Sequence, residues 1–250
     1  MIEPIAIYTI WLREVKRYFR ARERVVGSIM QPLFWFLIFG IGLGKSIQFT
    51  GLATDYFSFM VPGVIGMSLL FTSMFSGVSV IWDREFGFLK EILVAPVSRL
   101  SIVIGKALGG ATTAIVQGVI ILAIGFALGA NIQLYSLLFL LPMMAVISIG
   151  FVSFGLAIAS MMDTLEGFQL IMNFVVQPMF FLSGALFPLL SLPDWMRIVT
   201  YINPMTFAVE TLRYIVTGVA SFDVRISFAV VFAFMASTLT FASWAFSRRK

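Results

Sequence analysis

The segment at residues 82–96, with the sequence WDREFGFLKEILVAP, has the densest group of side chains that could bind a partner. Its charged residues are Asp83, Arg84, Glu85, Lys90 and Glu91. With 100° between successive residues, most apolar side chains fall on one half of a helix and most charges on the other. The pattern predicts an amphipathic helix that ends before Pro96. Such a helix rests on lipid or buries its apolar half against a partner, and the pattern leaves both open.

Little in the sequence could catalyse a reaction. Histidine and cysteine are absent, which removes the commonest general base, the commonest metal ligand and every thiolate nucleophile. The stretch GIGLGKS, residues 40–46, resembles the end of a phosphate-binding loop. However, Phe39 stands where that loop requires its first glycine, and no strand precedes it. We therefore expect no enzyme activity and no catalytic, cofactor-binding or metal-binding residue in this chain.

The composition predicts a membrane protein. Hydrophobic residues make up 60% of the chain and charged residues 12%, whereas soluble domains average about 45–50% and about 25%. A membrane-spanning helix needs about 20 apolar residues. Six segments meet this requirement: 26–44, 58–81, 104–128, 136–161, 168–188 and 227–246. The predicted fold is therefore an all-α membrane protein with six transmembrane helices.

The distribution of basic residues predicts the orientation of these helices. Six spans place both termini on one side. Thirteen of the 17 Lys and Arg residues fall in the N-terminal segment, in residues 83–106 and at the C-terminal end. The opposite side has only Lys45, Arg197, Arg213 and Arg225. The excess places the termini and residues 83–106 in the cytoplasm. The net charge of +5 is thus a signal of topology, and no nucleic-acid partner is expected.

The domain prediction is one transmembrane domain, 1–250, with two further special segments. Residues 1–25 form an amphipathic helix whose basic face and aromatic side chains suit an anionic membrane lipid surface. Residues 188–225 form an external segment that is too long for a turn and too apolar for a free loop. Short re-entrant helices that cap the bundle are the expected structure there, because irregular backbone at membrane depth must be shielded.

No ionisable side chain is predicted near the middle of a span. Ion-coupled transporters carry such groups, or broken helices, at the midplane. The polar residues at that depth are amides and hydroxyls, which serve most often as hydrogen bonds between helices. If this chain transports a substrate, the energy must therefore come from another protein.

Two stretches carry a family resemblance that extends over essentially the whole chain. REFGFLKEILVAPVSR follows the second predicted span, and FFLSGALFPLLSLPDWMRIVTYINPMTFAVETLR begins at the end of the fifth. The second stretch contains Ser-Gly, Phe-Pro and Asn-Pro pairs ahead of a helix that ends in Arg213. In these features the sequence resembles the permeases of type-2 (ABC-2) ABC exporters. It is similar to the daunorubicin-resistance type and to polysaccharide and lipid exporters.

The resemblance implies that residues 83–98 form a coupling helix that docks on a separately encoded ABC ATPase subunit. ATP and Mg²⁺ would then bind to that subunit, and this chain would hold no cofactor. The implied contacts are Arg84, Glu85, Phe86, Leu89, Lys90 and Glu91. A second, smaller cytoplasmic contact is implied at Asp163 and Glu166.

The resemblance also implies that two permease copies, as a homodimer, enclose the substrate path. It places spans 2 and 5 at the interface between the copies. Candidate residues along the path are Met67, Thr72, Asn173, Gln177 and Phe181. The candidate residues of the external cap are Asn203, Pro204, Glu210 and Arg213.

The expected function is the membrane-spanning half of an ATP-driven exporter in the cytoplasmic membrane of a prokaryote. Its substrate class is a drug-like molecule, a lipid or a glycoconjugate. Two alternatives stay open. A channel or facilitator would pass its substrate without nucleotide, and a membrane scaffold would bind a partner without any flux.

Overall fold

The computed structural model describes residues 3–43, 56–87, 97–130, 132, 136–189 and 193–248. All regular structure in these ranges is helical, which confirms the prediction of an all-α fold. We number the α-helices in chain order. They are α1 (Pro4–Arg20), α2 (Arg22–Trp35), α3 (Tyr56–Ser76), α4 (Val78–Glu85), α5 (Arg99–Ala127), α6 (Leu137–Met161), α7 (Leu165–Ile171), α8 (Gln177–Phe181), α9 (Asp194–Ile202), α10 (Pro204–Thr217) and α11 (Val224–Arg248). Two π-helical segments, Phe36–Leu43 and Met172–Val176, continue α2 and join α7 to α8.

Among the described residues, four helices are long and apolar enough to cross a membrane. They are Tyr56–Glu85, which combines α3 and α4, together with α5, α6 and α11. The segments predicted as the first and fifth spans are also helical. They are shorter, with an apolar helix at Val25–Gly40 and a helix at 165–181 that contains a π-helical segment. The number of six spans therefore stays a prediction.

Helix α3 forms the centre of the bundle. In its most apolar window 78% of the residues are buried, against 22% for α11. Helices α5, α6 and α10 surround α3, and α11 packs mainly on α6. Helix α11 therefore lies at the outside of the described bundle, with most of its apolar window not buried within the chain.

Local sequence explains where several helices begin. Ser98 accepts a hydrogen bond at 3.2 Å from the backbone N–H of Ser101 at the start of α5. Thr164 accepts one in the same way from Gly167 at the start of α7. Asn203 caps α10 by accepting from Met205, and Pro204 follows as its first residue. These caps satisfy backbone donors that a helix leaves unpaired at its first turn.

The structure changes one boundary predicted from the sequence. The amphipathic helix expected over 83–98 does not begin as a separate element, because Asp83, Arg84 and Glu85 are the last turn of α4. The helix ends there, and Gly87 adopts a left-handed backbone conformation with φ of +77°, which glycine reaches without steric cost. Residues 88–96, which include Leu89, Lys90 and Glu91, lie outside the described residues.

Candidate functional site

Helix α1 packs against the first half of α5 at very short distance. A Cβ atom at Gly109 would lie 2.5 Å from the Cβ of Glu14, and one at Gly105 would lie 2.8 Å from the Cβ of Ile10. Glycines four residues apart lie on one face of a helix and let a second backbone approach closely. This contact brings the acidic side chain of Glu14 beside Lys106, which lies between the two glycines.

A buried group of charged side chains follows from this packing. We call it the ion cluster, and its members are Arg13, Glu14, Arg17, Asp83 and Lys106. The Lys106 ammonium donates to Asp83 Oδ2 at 2.6 Å, to Ser79 Oγ at 3.1 Å and to Glu14 Oε1 at 3.2 Å. Its side chain is 1% exposed. The cluster therefore joins α1, α4 and α5 at one point.

Two arginines of α1 complete the ion cluster from the surface. Arg13 lies 2.5 Å and Arg17 3.3 Å from Asp83 Oδ1, and Arg17 also pairs with Glu14 at 2.5 Å. Three cations thus face two carboxylates, and the buried members all have charged partners. Such pairing is needed to offset the cost of removing each charge from water.

The end of α4 is also held from its other side. The Arg84 guanidinium donates to the carbonyl of Met162 at 2.6 Å and to that of Ser160 at 3.3 Å. It also pairs with the carboxylate of Asp163 at 3.1 Å. Arg84 therefore ties α4 to the turn between α6 and α7. The two contact regions predicted from the sequence are brought together by this residue.

The two residues after Arg84 point away from the protein. Glu85 is exposed, and Phe86 is 74% exposed. Asp163 and Glu166 are exposed beside the turn that Arg84 holds. We call Glu85, Phe86, Asp163 and Glu166 the docking surface. It combines three carboxylates with one aromatic ring, at the end of a helix that is fixed on both sides.

The five residues predicted to line a path do not lie together within one chain. Met67 is in the core, and Thr72 hydrogen-bonds to the side chain of Gln117. Asn173 and Gln177 are exposed, and the ring of Phe181 lies 6.2 Å from that of Trp35.

Together with Gln169, the two exposed amides form what we call the amide stripe. Gln169, Asn173 and Gln177 recur at every fourth residue on the exposed side of α7, the π-helical segment after it and α8. Residues at this spacing lie on one side of a helix. A row of amides facing lipid alone would leave its hydrogen-bonding groups unsatisfied. The stripe therefore marks a side that needs another covering.

The predicted cap residues form a second ionic site at the other end of α3. Glu210 and Arg213 of α10 pair with each other and are buried. Arg213 also donates to the carbonyl of Gly184 at 2.7 Å, and its guanidinium lies 3.9 Å from the ring centre of Phe59. Burial lowers the pKa of the Arg213 guanidinium, and the carboxylate of Glu210 acts in the opposite direction.

Further contacts hold the cap in place. Glu210 accepts a hydrogen bond from the backbone of Ser221 at 2.5 Å, and Asn203 donates to the carbonyl of Met179 at 2.6 Å. At the start of α3, the Tyr56 hydroxyl donates to the carbonyl of Leu186 at 3.0 Å. Pro204 begins α10. The cap is thus connected to α3, to the end of α8 and to the turn before α11.

The sequence alone does not predict the ion cluster, although Asp83 belongs to the charged segment 82–96. Its members come from three helices far apart in the chain. The available signal was local: Lys106 stands between glycines at 105 and 109, and Glu14 lies among basic residues of α1.

Comparison with known proteins gives consistent matches. The sequence pattern of the family described as "ABC-2 type transporter" matches residues 5–217. The transport permease ycf38 of Cyanophora paradoxa is 31% identical over 80% of this chain and 72% of its own length. The inner membrane transport permease YadH of Escherichia coli K12 is 26% identical over 92% and 90%. Nodulation protein J of Rhizobium meliloti is 28% identical over 83% and 81%.

Proposed function

The chain belongs to the ABC-2 type transporter family, and on that premise we propose that it is the permease half of an ATP-driven exporter. It is an integral membrane transport permease, as its family and its four long apolar helices show. In the proposal a separate ABC ATPase subunit binds ATP and Mg²⁺, and this chain has no catalytic role. The ATPase docks on the side where α4 ends.

The proposal rests on one observation. Arg84 is held by the protein, whereas the next two residues of the chain are exposed. Asp83 and Arg84 are held by the ion cluster and by the turn after α6, whereas Glu85 and Phe86 are exposed directly beside them. A partner that moved Glu85 and Phe86 would therefore move α1, α4, α5 and α6 with them. A loop that merely rested on lipid would have no need for such a fixed attachment.

The chemistry of the docking surface suits a protein partner. A large exposed aromatic ring provides burial, and the surrounding carboxylates at Glu85, Asp163 and Glu166 favour a basic partner surface and fix its orientation. Carboxylates are also repelled by anionic lipid headgroups, so lipid would be an unfavourable covering for this surface.

The docking proposal is tested by co-purification. The chain is extracted in mild detergent from its native membrane, and the bound proteins are identified by mass spectrometry. We expect an ABC ATPase with the unchanged chain and its loss with the double variant Glu85→Arg, Phe86→Asp. Asp194→Arg on α9 is the matched control, because it reverses an exposed charge at the cap end and should leave the ATPase bound.

The outcomes separate the competing functions. If no ATPase is recovered and the purified chain passes substrate without nucleotide, it is a channel or facilitator. If a partner other than an ATPase binds and no flux is measured, it is a scaffold. Either result would overturn the exporter proposal.

We further propose that a second copy of this chain covers the amide stripe, so that two copies enclose the path. Amides on facing helices can hydrogen-bond across an interface or line a water-filled passage. Because the chain contains no cysteine, single cysteines can be introduced without background. Asn173→Cys should be cross-linked to a second copy in membranes by a short thiol-specific reagent. Phe232→Cys on the exposed side of α11 should not be cross-linked, and equal cross-linking of both would contradict the assignment.

The proposal also includes the membrane in which the chain lies and the class of its substrate. The similarity to YadH, an inner membrane transport permease, supports placement in the cytoplasmic membrane. The excess of basic residues near the termini and in 83–106 supports the proposal that both termini lie inside. The substrate is a drug-like molecule, a lipid or a glycoconjugate, which an exporter of this family would move outward.

A further inference from the structure

A cavity of about 370 Å³ lies between α1, α2, α3, α4, α5 and the start of α7. Its volume falls in the range of small-molecule sites, which is about 300–1,000 Å³. Gln31 of α2 and Gln169 of α7 line it and are exposed, so it opens outward between these two helices. Gln169 also belongs to the amide stripe, which connects the cavity mouth with the proposed path.

The interior of the cavity contains a hydrogen-bonding group without a partner. Ser68 of α3 lines the cavity and is 1% exposed, and its hydroxyl makes no hydrogen bond within the described structure. A buried hydroxyl is usually paired. Thr72, one turn further along α3, also lines the cavity. A ligand with hydroxyl or amide groups could satisfy Ser68.

The charged side chains that line the cavity are paired with one another. Glu14 and Arg17 line one end, where they pair with each other at 2.5 Å, and Lys106 also contacts Glu14. Other polar side chains among the described residues of the lining are hydroxyls and amides, with the indole of Trp82. A charged ligand would therefore have to compete with an existing ion pair, whereas an uncharged one would not.

The walls of the cavity are largely apolar and aromatic. They include Phe71 and Phe75 of α3, Pro32 of α2 and Trp82 of α4. Such walls favour a ligand that also has a hydrophobic portion. The lining thus combines a neutral hydrogen-bonding part with an apolar part.

We propose that this cavity binds an uncharged amphiphile whose head carries hydroxyl or amide groups. Ser68 and Thr72 hydrogen-bond to the head, and the aromatic walls contact the apolar portion. The inference deepens the proposed function. It rests on that function in one respect, because it treats the amphiphile as cargo that enters beside the amide stripe. Binding itself requires neither ATP nor an ATPase.

The test uses Trp82 as an internal reporter of binding. The purified full-length chain is placed in phosphatidylcholine nanodiscs and titrated with dodecyl maltoside brominated on its alkyl chain, because bromine quenches tryptophan fluorescence on contact. Probe dissolved in the lipid also quenches the other four tryptophans of the chain. Above that linear background we expect a saturable component that disappears in Trp82→Phe. Brominated dodecylphosphocholine, with the same chain and a zwitterionic head, should need about tenfold higher concentration, which corresponds to about 1.4 kcal/mol.

Two serines of α3 provide a matched pair of variants. Ser68 and Ser73 are both buried, and both hydroxyls lack a partner, but only Ser68 lines the cavity. Ser68→Ala should weaken maltoside binding about fivefold, the loss expected for one hydrogen bond. Ser73→Ala should leave binding unchanged. Neither change strands a hydrogen-bond partner, so both variants should fold.

Each other outcome would overturn a stated part of the proposal. Quenching without a saturable component would show that the cavity does not bind the maltoside, and equal saturable quenching by both heads would show that it does not select an uncharged head. A saturable signal that survives Trp82→Phe would place the site elsewhere. If free maltose competed at the same concentration as the maltoside, the apolar portion would contribute nothing to binding. Because ATPase recovery is measured separately, failure here and failure of the exporter proposal are distinguishable.

Discussion

A lysine ammonium inside a helical bundle is stable only when anionic groups replace its water. Lys106 has two carboxylates and a hydroxyl within 3.2 Å, and its neighbours at 105 and 109 are glycines. The arrangement is costly to assemble and costly to disturb, because loss of one partner leaves an uncompensated charge. The ion cluster therefore fixes a geometry rather than merely adding stability.

Replacing Lys106 by Met should destabilise the chain by about 3 kcal/mol, the lower end of what breaking a buried ion pair costs. The lower end applies because Arg13 and Arg17 still face Asp83. The measurement is thermal unfolding of the detergent-extracted protein. Lys16→Met, an exposed lysine of α1, is the control and should change stability by less than about 0.5 kcal/mol. Equal stability of the two variants would contradict the buried cluster.

Single-residue roles were predictable where they depend on local sequence. For example, Asn203 ahead of Pro204 is a recognisable helix start. The cluster depends on long-range packing instead. Glu14 and Lys106 are 92 positions apart, and one sequence contains no pattern that relates such positions.

At the scale of elements, helix α1 combines three faces. Ile10 and Glu14 contact the glycines of α5, Tyr8 and Phe19 are exposed, and Arg13 and Arg17 pair with Asp83 of α4. The sequence predicted an amphipathic helix resting on lipid. The structure adds a third side, which packs on protein. Periodicity does not predict it, because an apolar helix side fits lipid and protein equally well.

The close packing of α1 on α5 predicts opposite effects for two glycine substitutions. Gly27→Ala in α2 has open space around the new Cβ and should stabilise the chain by about 0.5–1 kcal/mol, as Ala does in helices. Gly109→Ala would place a Cβ 2.5 Å from that of Glu14 and should destabilise by about 1–3 kcal/mol through overpacking. Thermal unfolding measures both. The same sign for both variants would show that α1 does not lie this close.

Two elements that share a Gln-Pro pair meet in the structure. The pair at 31–32 lies in α2 and the pair at 177–178 begins α8, and each helix adjoins a π-helical segment. Proline has no N–H to donate to the preceding turn, which favours such a local change of helix. Aromatic rings then join the two elements, with Trp35 near Phe181 at 6.2 Å and Phe39 near Phe187 at 6.1 Å.

At the scale of the whole molecule, α3 and α4 connect the two ionic sites. The 30 residues of Tyr56–Glu85 would extend about 45 Å as a continuous helix. Phe59 lies beneath Arg213 of the cap, and Asp83 lies in the ion cluster. A displacement of the docking surface would therefore reach the cap through one central element. Gly77 separates α3 from α4. Bending of the chain at this position would take up part of such a displacement.

The proposed orientation predicts which end of the molecule a reagent reaches from outside. In the cysteine-free chain, Trp195→Cys on α9 should react with a membrane-impermeant maleimide in intact cells. Ile5→Cys on α1 should react only after the membrane is opened. Both positions are well exposed, so burial would not mask the result. Labelling of Ile5→Cys in intact cells would reverse the orientation.

The overall organisation was largely predictable because membrane solvation acts on whole segments. Apolar length identified the segments that became α3, α5, α6 and α11, and the prolines of the external segment indicated short helices, now α9 and α10. The relative positions of the helices were not predictable. They depend on contacts such as Arg84 with the carbonyl of Met162, which leave no mark in hydropathy.

The order of the ion cluster along the chain has a consequence for its synthesis. Glu14 and Asp83 both precede Lys106, so the ribosome has made both carboxylates before α5 enters the bilayer. Lys106 therefore enters the membrane after both of its counter-ions have been made. Its charge need not enter hydrocarbon unpaired. A circularly permuted chain that began near α5 would insert Lys106 first, and it should depend more heavily on the insertion machinery.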